Sequence, residues 1–521
     1  MSVLSIPNVV RRMHAHLRLL LLLTLLVRGG MYLGYPLQVK LDDIQAFHAS
    51  LINLVVEGDL LIGNLRYPTG YALVMAPAAA IARHLGAFEE RFILLVQVTL
   101  CACIPFLLYD TVRRHHSRRV ALIVALAALL DVFGLQWAHL YYPVWMVAFC
   151  IVLAIWIMNR SLHFSGASLA TGFCAAGGVL GIATLCRFNL APVVLVTGAL
   201  LLLVKAIPFR QRFLAFASLG TGCLTVLLGY LIAIHIPSTG TLRVNCIGGP
   251  NLILSVKGGG IPVVAENGAA TARLLRLVSL PAIEPMDWTQ RVHPLWQIPG
   301  PWVGEEASRA FLAQEPAAEI PDELDVWFPG ALVYHIGPCA TDSLLTHVAL
   351  EAIMSHPVQF LASLPGEILH LLLQRQQSNW HLPHIDVLRL EDTLSPAFPL
   401  KRAWSESGSF FGGEYRGERL WPLPVRLYSL SRDLLHALKL LAIPALIWGL
   451  LSRRPLFAGA AWALLCWLTM MAVIIAAVPE ERLIAPLWPL WPLLIGGMLA
   501  DLWQWLSALP GARRESARPS R

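Results

Sequence analysis

The chain has 521 residues, 57% of them hydrophobic and only 14% charged, against about 25% charged in soluble globular domains. That deficit makes lipid the main solvent and excludes an ordinary soluble enzyme. The formal net charge of +7 does not point to nucleic acid, because the basic residues stand in short clusters between apolar runs, as in positive-inside membrane proteins.

A helix that crosses a bilayer needs about 20 apolar residues. The first such run covers roughly 17–37 and follows Arg11, Arg12 and Arg18. No small-x-small cleavage site ends it and hydrophobicity resumes after Arg28, so it reads as an uncleaved anchor rather than a signal peptide. Asp42–Asp43 then open a segment with apolar residues at helical spacing. Ionisable groups at a membrane edge are functional candidates, and solvated helix caps are the alternative. The stretch RYPTGYALVMAPAAAI is apolar but short, with Pro68 and Pro77 marking it, and predicts a helix lying in the interface.

Further spans are expected at roughly 91–110, 120–138, 143–158, 168–186, 188–204, 213–235, 436–452, 456–478 and 484–505. Arg113–Arg119, Asn159–Arg160, Lys205–Arg212 and Arg453–Arg454 fall at alternate connections, together with the Arg513, Arg514, Arg518 and Arg521 tail. One orientation places all of these in the cytoplasm, with an even number of spans and both termini inside. The expected organisation is therefore an N-terminal membrane module over 1–236 with an exterior loop at 38–90. An exterior, periplasmic domain follows over 237–432, then C-terminal spans over 433–505 and a basic tail over 506–521. Within the exterior domain, 349–374 is apolar enough to be membrane-associated. The fold class expected is an all-α polytopic membrane protein of about ten or more spans, with a mixed α/β extramembrane segment. The nine cysteines show no CxxC or Cys/His metal spacing. Cys246 and Cys339 share the exterior segment and are either a disulfide or two unpaired thiols.

Several stretches, taken in order, resemble the polytopic GT-C glycosyltransferases, in particular the bacterial branch akin to protein O-mannosyltransferases and lipid A aminoarabinose transferases. They are the apolar helix ending Leu25–Leu26–Val27–Arg28, the acidic pair Asp42–Asp43, Glu57–Gly58, and Tyr67–Pro68–Thr69–Gly70–Tyr71. Further along come GGVLGIATLCRFNLAP, GGPNLILSVKGGG, ALEAIMSHPVQFLASLPGEI and PEERLIAPLWPLWPLLI. Two positions depart from the family pattern. Ile44 stands where Glu is expected in the register that aligns Asp43 with the family's first acid, whereas the other register pairs Asp42 and Asp43 with its two acids. His139–Leu140–Tyr141–Tyr142–Pro143 lacks a second exterior acid before the fourth span.

The resemblance implies sugar transfer from a polyprenyl-phosphate donor to a hydroxyl on the outer face of a bacterial inner membrane, with inversion at the anomeric carbon. The acceptor would be a lipid, glycan or protein, with the bilayer itself as a partner and no role for nucleic acid. Such chemistry needs a carboxylate to take the acceptor proton, and cations to hold the phosphate as it gathers charge. Asp43, with Asp42 beside it, is the candidate base. Arg187, which ends the Gly-rich span, is a candidate for the donor phosphate, since arginine can grip a phosphate with two parallel hydrogen bonds. Arg66, Arg482 and Lys257 are further phosphate candidates. For each cation the bland reading is an interfacial anchor or a local ion pair. No metal ligands stand out, no cofactor is implied with certainty, and a divalent-ion requirement stays open. Two other readings compete: a transporter or flippase of polyprenyl-linked glycan, which should show inverted repeats and broken midplane helices, and a non-catalytic relative kept as a partner protein.

Overall fold

The computed structural model describes residues 15–34, 51, 54–55, 69–86, 89–131, 138, 143–203, 208–239, 242, 244, 246, 248–278, 338–373, 438, 440–475 and 485–508. Among them the secondary structure is helical and contains no strand. The mixed α/β character expected of the exterior segment is therefore not seen in its described part, which holds helices and connecting turns.

The membrane part begins with α1 (Ala15–Gly34), α2 (Gly70–His84), α3 (Glu89–Val112) and α4 (Arg118–Leu129). It continues through α5 (Val144–Ser161), α6 (Gly166–Cys186), a 3-10 turn (Phe188–Leu190), α7 (Ala191–Leu203) and α8 (Phe209–Tyr230). Six helical segments among the described residues are long and apolar enough to cross a membrane: Ala15–Tyr32, Phe92–Val112, Val144–Ser161, Gly166–Cys186, Phe209–His235 and Pro455–Val473. The chain is an integral membrane protein by this criterion. Other expected spans are shorter as helices. α4 ends at Leu129, α7 has 13 residues, and the run expected at 436–452 is helical over Ala442–Leu451.

The basic connections gather at one end of the bundle, here termed the basic end. Asp110 is the hub there. It pairs with Arg113 at 2.6 Å and Arg160 at 3.3 Å, and accepts from Trp156 Nε1 at 2.9 Å. Across the bundle, Arg454 donates to His116 Nε2 at 2.7 Å and pairs with Asp501 at 3.1 Å. Burial, and after it the Arg454 charge, holds His116 below the usual histidine range, so the ring stays neutral and accepts from the guanidinium.

α6 and α8 form the tightest crossing, and its cause is compositional. Glycines let two membrane helices approach until their backbones touch. A Cβ on Gly177 would strike the Leu219 carbonyl, and one on Gly222 would strike the Cys174 carbonyl. Gly220, on the same helix, has nothing within 4 Å of where its Cβ would stand. Gly222→Val is therefore expected to lower the thermal unfolding temperature in detergent, by the equivalent of about 1–3 kcal/mol or more for an overpacked contact. Gly220→Ala should be neutral or slightly stabilising. Equal effects of the two would remove the close-packing account.

The far end carries a smaller helical unit: α9 (Gly248–Gly258), α10 (Ala269–Val278), α11 (Pro338–Ser355) and α12 (Pro357–Leu373). Its core includes Ile253, Val256, Leu274, Leu345, Val348 and Phe360. A disulfide joins Cys246 to Cys339 across 93 residues of sequence, with the Cα atoms 4.8 Å apart, so of the two readings of these thiols the bonded one is found. The 349–374 stretch divides at Pro357, the first residue of α12, with His356 carrying the last hydrogen bonds of α11. α12 turns back on the bundle, and Leu371 and Leu372 join the main core. The remaining helices are α13 (Ala442–Leu451), α14 (Pro455–Ile475) and α15 (Leu490–Ala508).

Glu351 staples α11 to the start of α10. It accepts from Ala270 N at 2.9 Å, and from Thr271 N and Thr271 Oγ1 at 2.8 Å each. Burial alone would raise its pKa, but these hydrogen bonds outweigh it and hold the carboxyl below the ordinary glutamate range. A depressed carboxylate pKa stabilises the fold above the unfolded-state pKa and loses that contribution as pH falls through the folded-state value. The wild-type unfolding temperature should therefore drop on acidification below the ordinary glutamate pKa. Glu351→Gln should be less stable at neutral pH, with the gap to wild type closing in acid. Parallel pH profiles for the two proteins would show that the carboxylate charge is not what holds α10.

Candidate functional site

At the far end, the Gly-rich α6 stops at Cys186, and Arg187 breaks the helix. Its backbone is extended (φ −157°, ψ 94°), its N–H is shared between Ala183 O at 3.0 Å and Thr184 O at 3.1 Å, and its carbonyl starts the next turn by accepting from Leu190 N at 2.9 Å. The break swings the side chain off the axes of both α6 and α7. The guanidinium carbon then lies 5.4 Å from the centre of the Trp467 ring on α14, a fully buried indole. A cation within about 6 Å of an aromatic face is attracted to the ring.

The start of α2 is wedged against this break. A Cβ on Gly70 would strike the Leu185 carbonyl group and Cys186 N, so only glycine lets the Thr69–Gly70 corner sit against the residues just before Arg187. Thr69 Oγ1 donates to Tyr230 OH at 2.6 Å, and Tyr230 OH stands 3.5 Å from His235 Nδ1. His235 closes a π-helical turn, Leu231–His235, at the end of α8. Such turns recur at functional sites because they re-aim side chains. On the other side of the corner, Tyr71 OH donates to Gln97 Oε1 at 2.5 Å, and Gln97 Nε2 donates to Ala138 O at 2.8 Å. Two stretches that resemble family motifs, Thr69–Gly70–Tyr71 and Cys186–Arg187, thus meet in one polar layer at the end opposite the basic connections.

Of the residues expected in the site, Arg187 is described and stands in this layer. Asp42, Asp43, Arg66 and Arg482 lie outside the described residues, as does the side chain of Lys257. The backbone of Lys257 falls in the last turn of α9. There Gln359 Nε2, on α12, donates to Gly260 O at 3.0 Å, and Gly260 takes the positive φ of 66° that glycine tolerates. The glycine loop and the His-Pro helix, two more of the resembling stretches, are therefore neighbours.

No family model and no curated protein matches the chain. Among solved structures it is similar to the archaeal oligosaccharyltransferase AglB from Archaeoglobus fulgidus, determined with an inhibitory peptide and a dolichol-phosphate. The identity is 13% and the TM-score 0.43, over 97% of this chain and 52% of that one. It is also similar to ArnT from Cupriavidus metallidurans bound to undecaprenyl phosphate, at 14% identity and TM-score 0.37, over 88% of this chain and 76% of that one. The chain spans about half the length of the AglB chain. At these identities and TM-scores the likeness assigns neither an activity nor a residue role to this protein.

One polar feature escaped sequence reasoning. Arg28 on α1 and Asp131 just beyond α4 are both buried, 4% and 7% exposed, and within electrostatic reach of each other. A buried ionisable pair in a membrane protein is costly and specific. In the sequence Arg28 stands at the end of an apolar helix and Asp131 is a lone carboxylate inside the apolar run expected at 120–138, but nothing there brings the two together. Both lie toward the far end, where α1 and α4 finish.

Proposed function

We propose that the protein is a membrane glycosyltransferase of GT-C type that moves a sugar from a polyprenyl-phosphate donor to an acceptor hydroxyl on the outer face of the membrane. The observation that best supports this reading is Arg187, held off-axis at a helix break against a buried indole, at the end opposite the basic connections. With those connections in the cytoplasm, this end faces the exterior.

In the proposed reaction the Asp43 carboxylate, or Asp42 beside it, takes the proton of the acceptor hydroxyl. The oxygen attacks the anomeric carbon from the face opposite the phosphate, the anomeric C–O bond to phosphate breaks, and polyprenyl phosphate leaves with inverted product. Arg187 stabilises the charge that gathers on the departing phosphate, with Arg66, Arg482 and Lys257 as further candidates for that role. Preorganised cations in a site shielded from water act most strongly on charge that develops during the reaction.

The test is purified full-length protein in lipid nanodiscs, supplied with synthetic polyprenyl-phosphate hexoses and pentoses and an envelope extract as acceptor. Release of free polyprenyl phosphate with gain of sugar on the acceptor supports the reading. In proteoliposomes, movement of intact lipid-linked sugar across the bilayer without cleavage would replace it with the flippase reading. Neither cleavage nor movement from any donor would leave a non-catalytic partner.

A further inference from the structure

A cavity of about 620 Å³ opens between α5, α6, α7 and α14, and reaches from the basic end toward the far end. Its walls are apolar through most of that length, including Ile151, Val194, Leu201, Ala460 and Leu490. α7 lines it from Leu190, just before its first residue, to Leu203, a run of about 20 Å at the helical rise. Thr197 apart, the polar lining gathers at the basic end, where His115, Asn159, His163, Ser452 and Arg453 line it.

Two observations there point to a ligand. Asn159 is only 6% exposed, and its Nδ2 has no hydrogen-bond partner, while its Oδ1 accepts from His115 Nε2 at 2.9 Å. A buried amide donor left without a partner is costly, so an acceptor in the cavity would relieve it. Arg453 supplies the charge. Among the described residues no carboxylate pairs with it, and Asp110 is held by Arg113, Arg114 and Arg160 while Asp501 is held by Arg454.

We infer that this cavity holds one anionic phospholipid of the leaflet at the basic end, with its phosphate between Asn159 Nδ2 and Arg453 and an acyl chain along the apolar wall. The site is separate from the far-end layer around Arg187 and does not depend on the glycosyltransferase reading. The long apolar wall beneath a cluster of donors matches an amphiphile, whereas a soluble anion would leave the wall empty. The donors favour a phosphate headgroup over a neutral one.

The experiment equilibrates the purified full-length chain with vesicles of equal phosphatidylglycerol and phosphatidylcholine of matched acyl chains, then counts retained lipid by native mass spectrometry. Wild type should keep one phosphatidylglycerol in preference to phosphatidylcholine. Arg453→Glu, at an exposed position that should not affect folding, should cut that preference about tenfold. Asn159→Leu should weaken it by a smaller factor, and Ala463→Phe, which fills the cavity, should abolish retention of either lipid. Equal retention of the two lipids, or an unchanged preference in Arg453→Glu, would overturn the proposal. Displacement of phosphatidylglycerol by an equimolar trace of polyprenyl phosphate would also overturn it, since the occupant would then be an isoprenoid carrier.

Discussion

Asp43→Asn is expected to reduce sugar transfer by about a hundred- to ten-thousand-fold, the range that a positioned general base contributes. Expression, unfolding temperature and donor binding should remain near wild type. Asparagine keeps the size and one acceptor of aspartate but cannot take a proton. The loss should therefore fall on turnover and leave the Michaelis constant for the donor little changed. The neighbouring Asp42 makes the paired variant informative. If Asp42→Asn carries the large loss and Asp43→Asn does not, the base is Asp42 and the register that aligns both acids with the family pair is the right one. Near-normal turnover in both single variants and in the double variant would leave the pair as a wet cap on an interfacial helix. The proposed base would then be lost.

How far the sequence carried the reading depends on the range of the signal. Long apolar runs ended by arginines announce spans, and the helices at Ala15–Gly34, Glu89–Val112, Val144–Ser161 and Gly166–Cys186 stand close to where those runs put them. Boundaries failed where an apolar run is longer than the helix inside it. The run at 120–138 continues past Leu129 because hydropathy cannot see where a helix stops. The corner inside 349–374 was legible, because a proline most simply opens a helix and Pro357 is the first residue of α12. Arg187 was legible because a cation closing a Gly-rich span is a local pattern. The Thr69–Tyr230 hydrogen bond, 161 residues apart in sequence, and the Arg28–Asp131 pair were not. Such contacts depend on how helices cross, and no periodicity within either helix records it. The same is true of Gly70, which the sequence offered as one residue of the Tyr67–Pro68–Thr69–Gly70–Tyr71 motif. It turns out to be the position where one backbone must touch another.

Arg187→Lys is expected to lower turnover by about ten- to a hundredfold, the equivalent of one charge-assisted hydrogen bond lost in the transition state, while donor binding falls much less. The phosphate already carries charge in the ground state, so any cation there aids binding. The additional charge arrives only as the sugar leaves, and an interaction that grows with it accelerates the chemical step. Lysine keeps the charge but not the planar fork, so the two-pronged grip on the phosphate would be lost with the guanidinium. Arg187→Ala should weaken both turnover and donor binding. A structural role would move different quantities. If Arg187 only anchors the end of α6 against α14, Arg187→Lys should shift the unfolding temperature and spare the ratio of turnover to binding. The deciding measurement is single-turnover release of polyprenyl phosphate alongside equilibrium donor binding, with thermal unfolding run on the same samples. Wild-type values for all three in both variants would make Arg187 an anchor at the interface, and the phosphate grip would then have to come from Arg66 or Arg482.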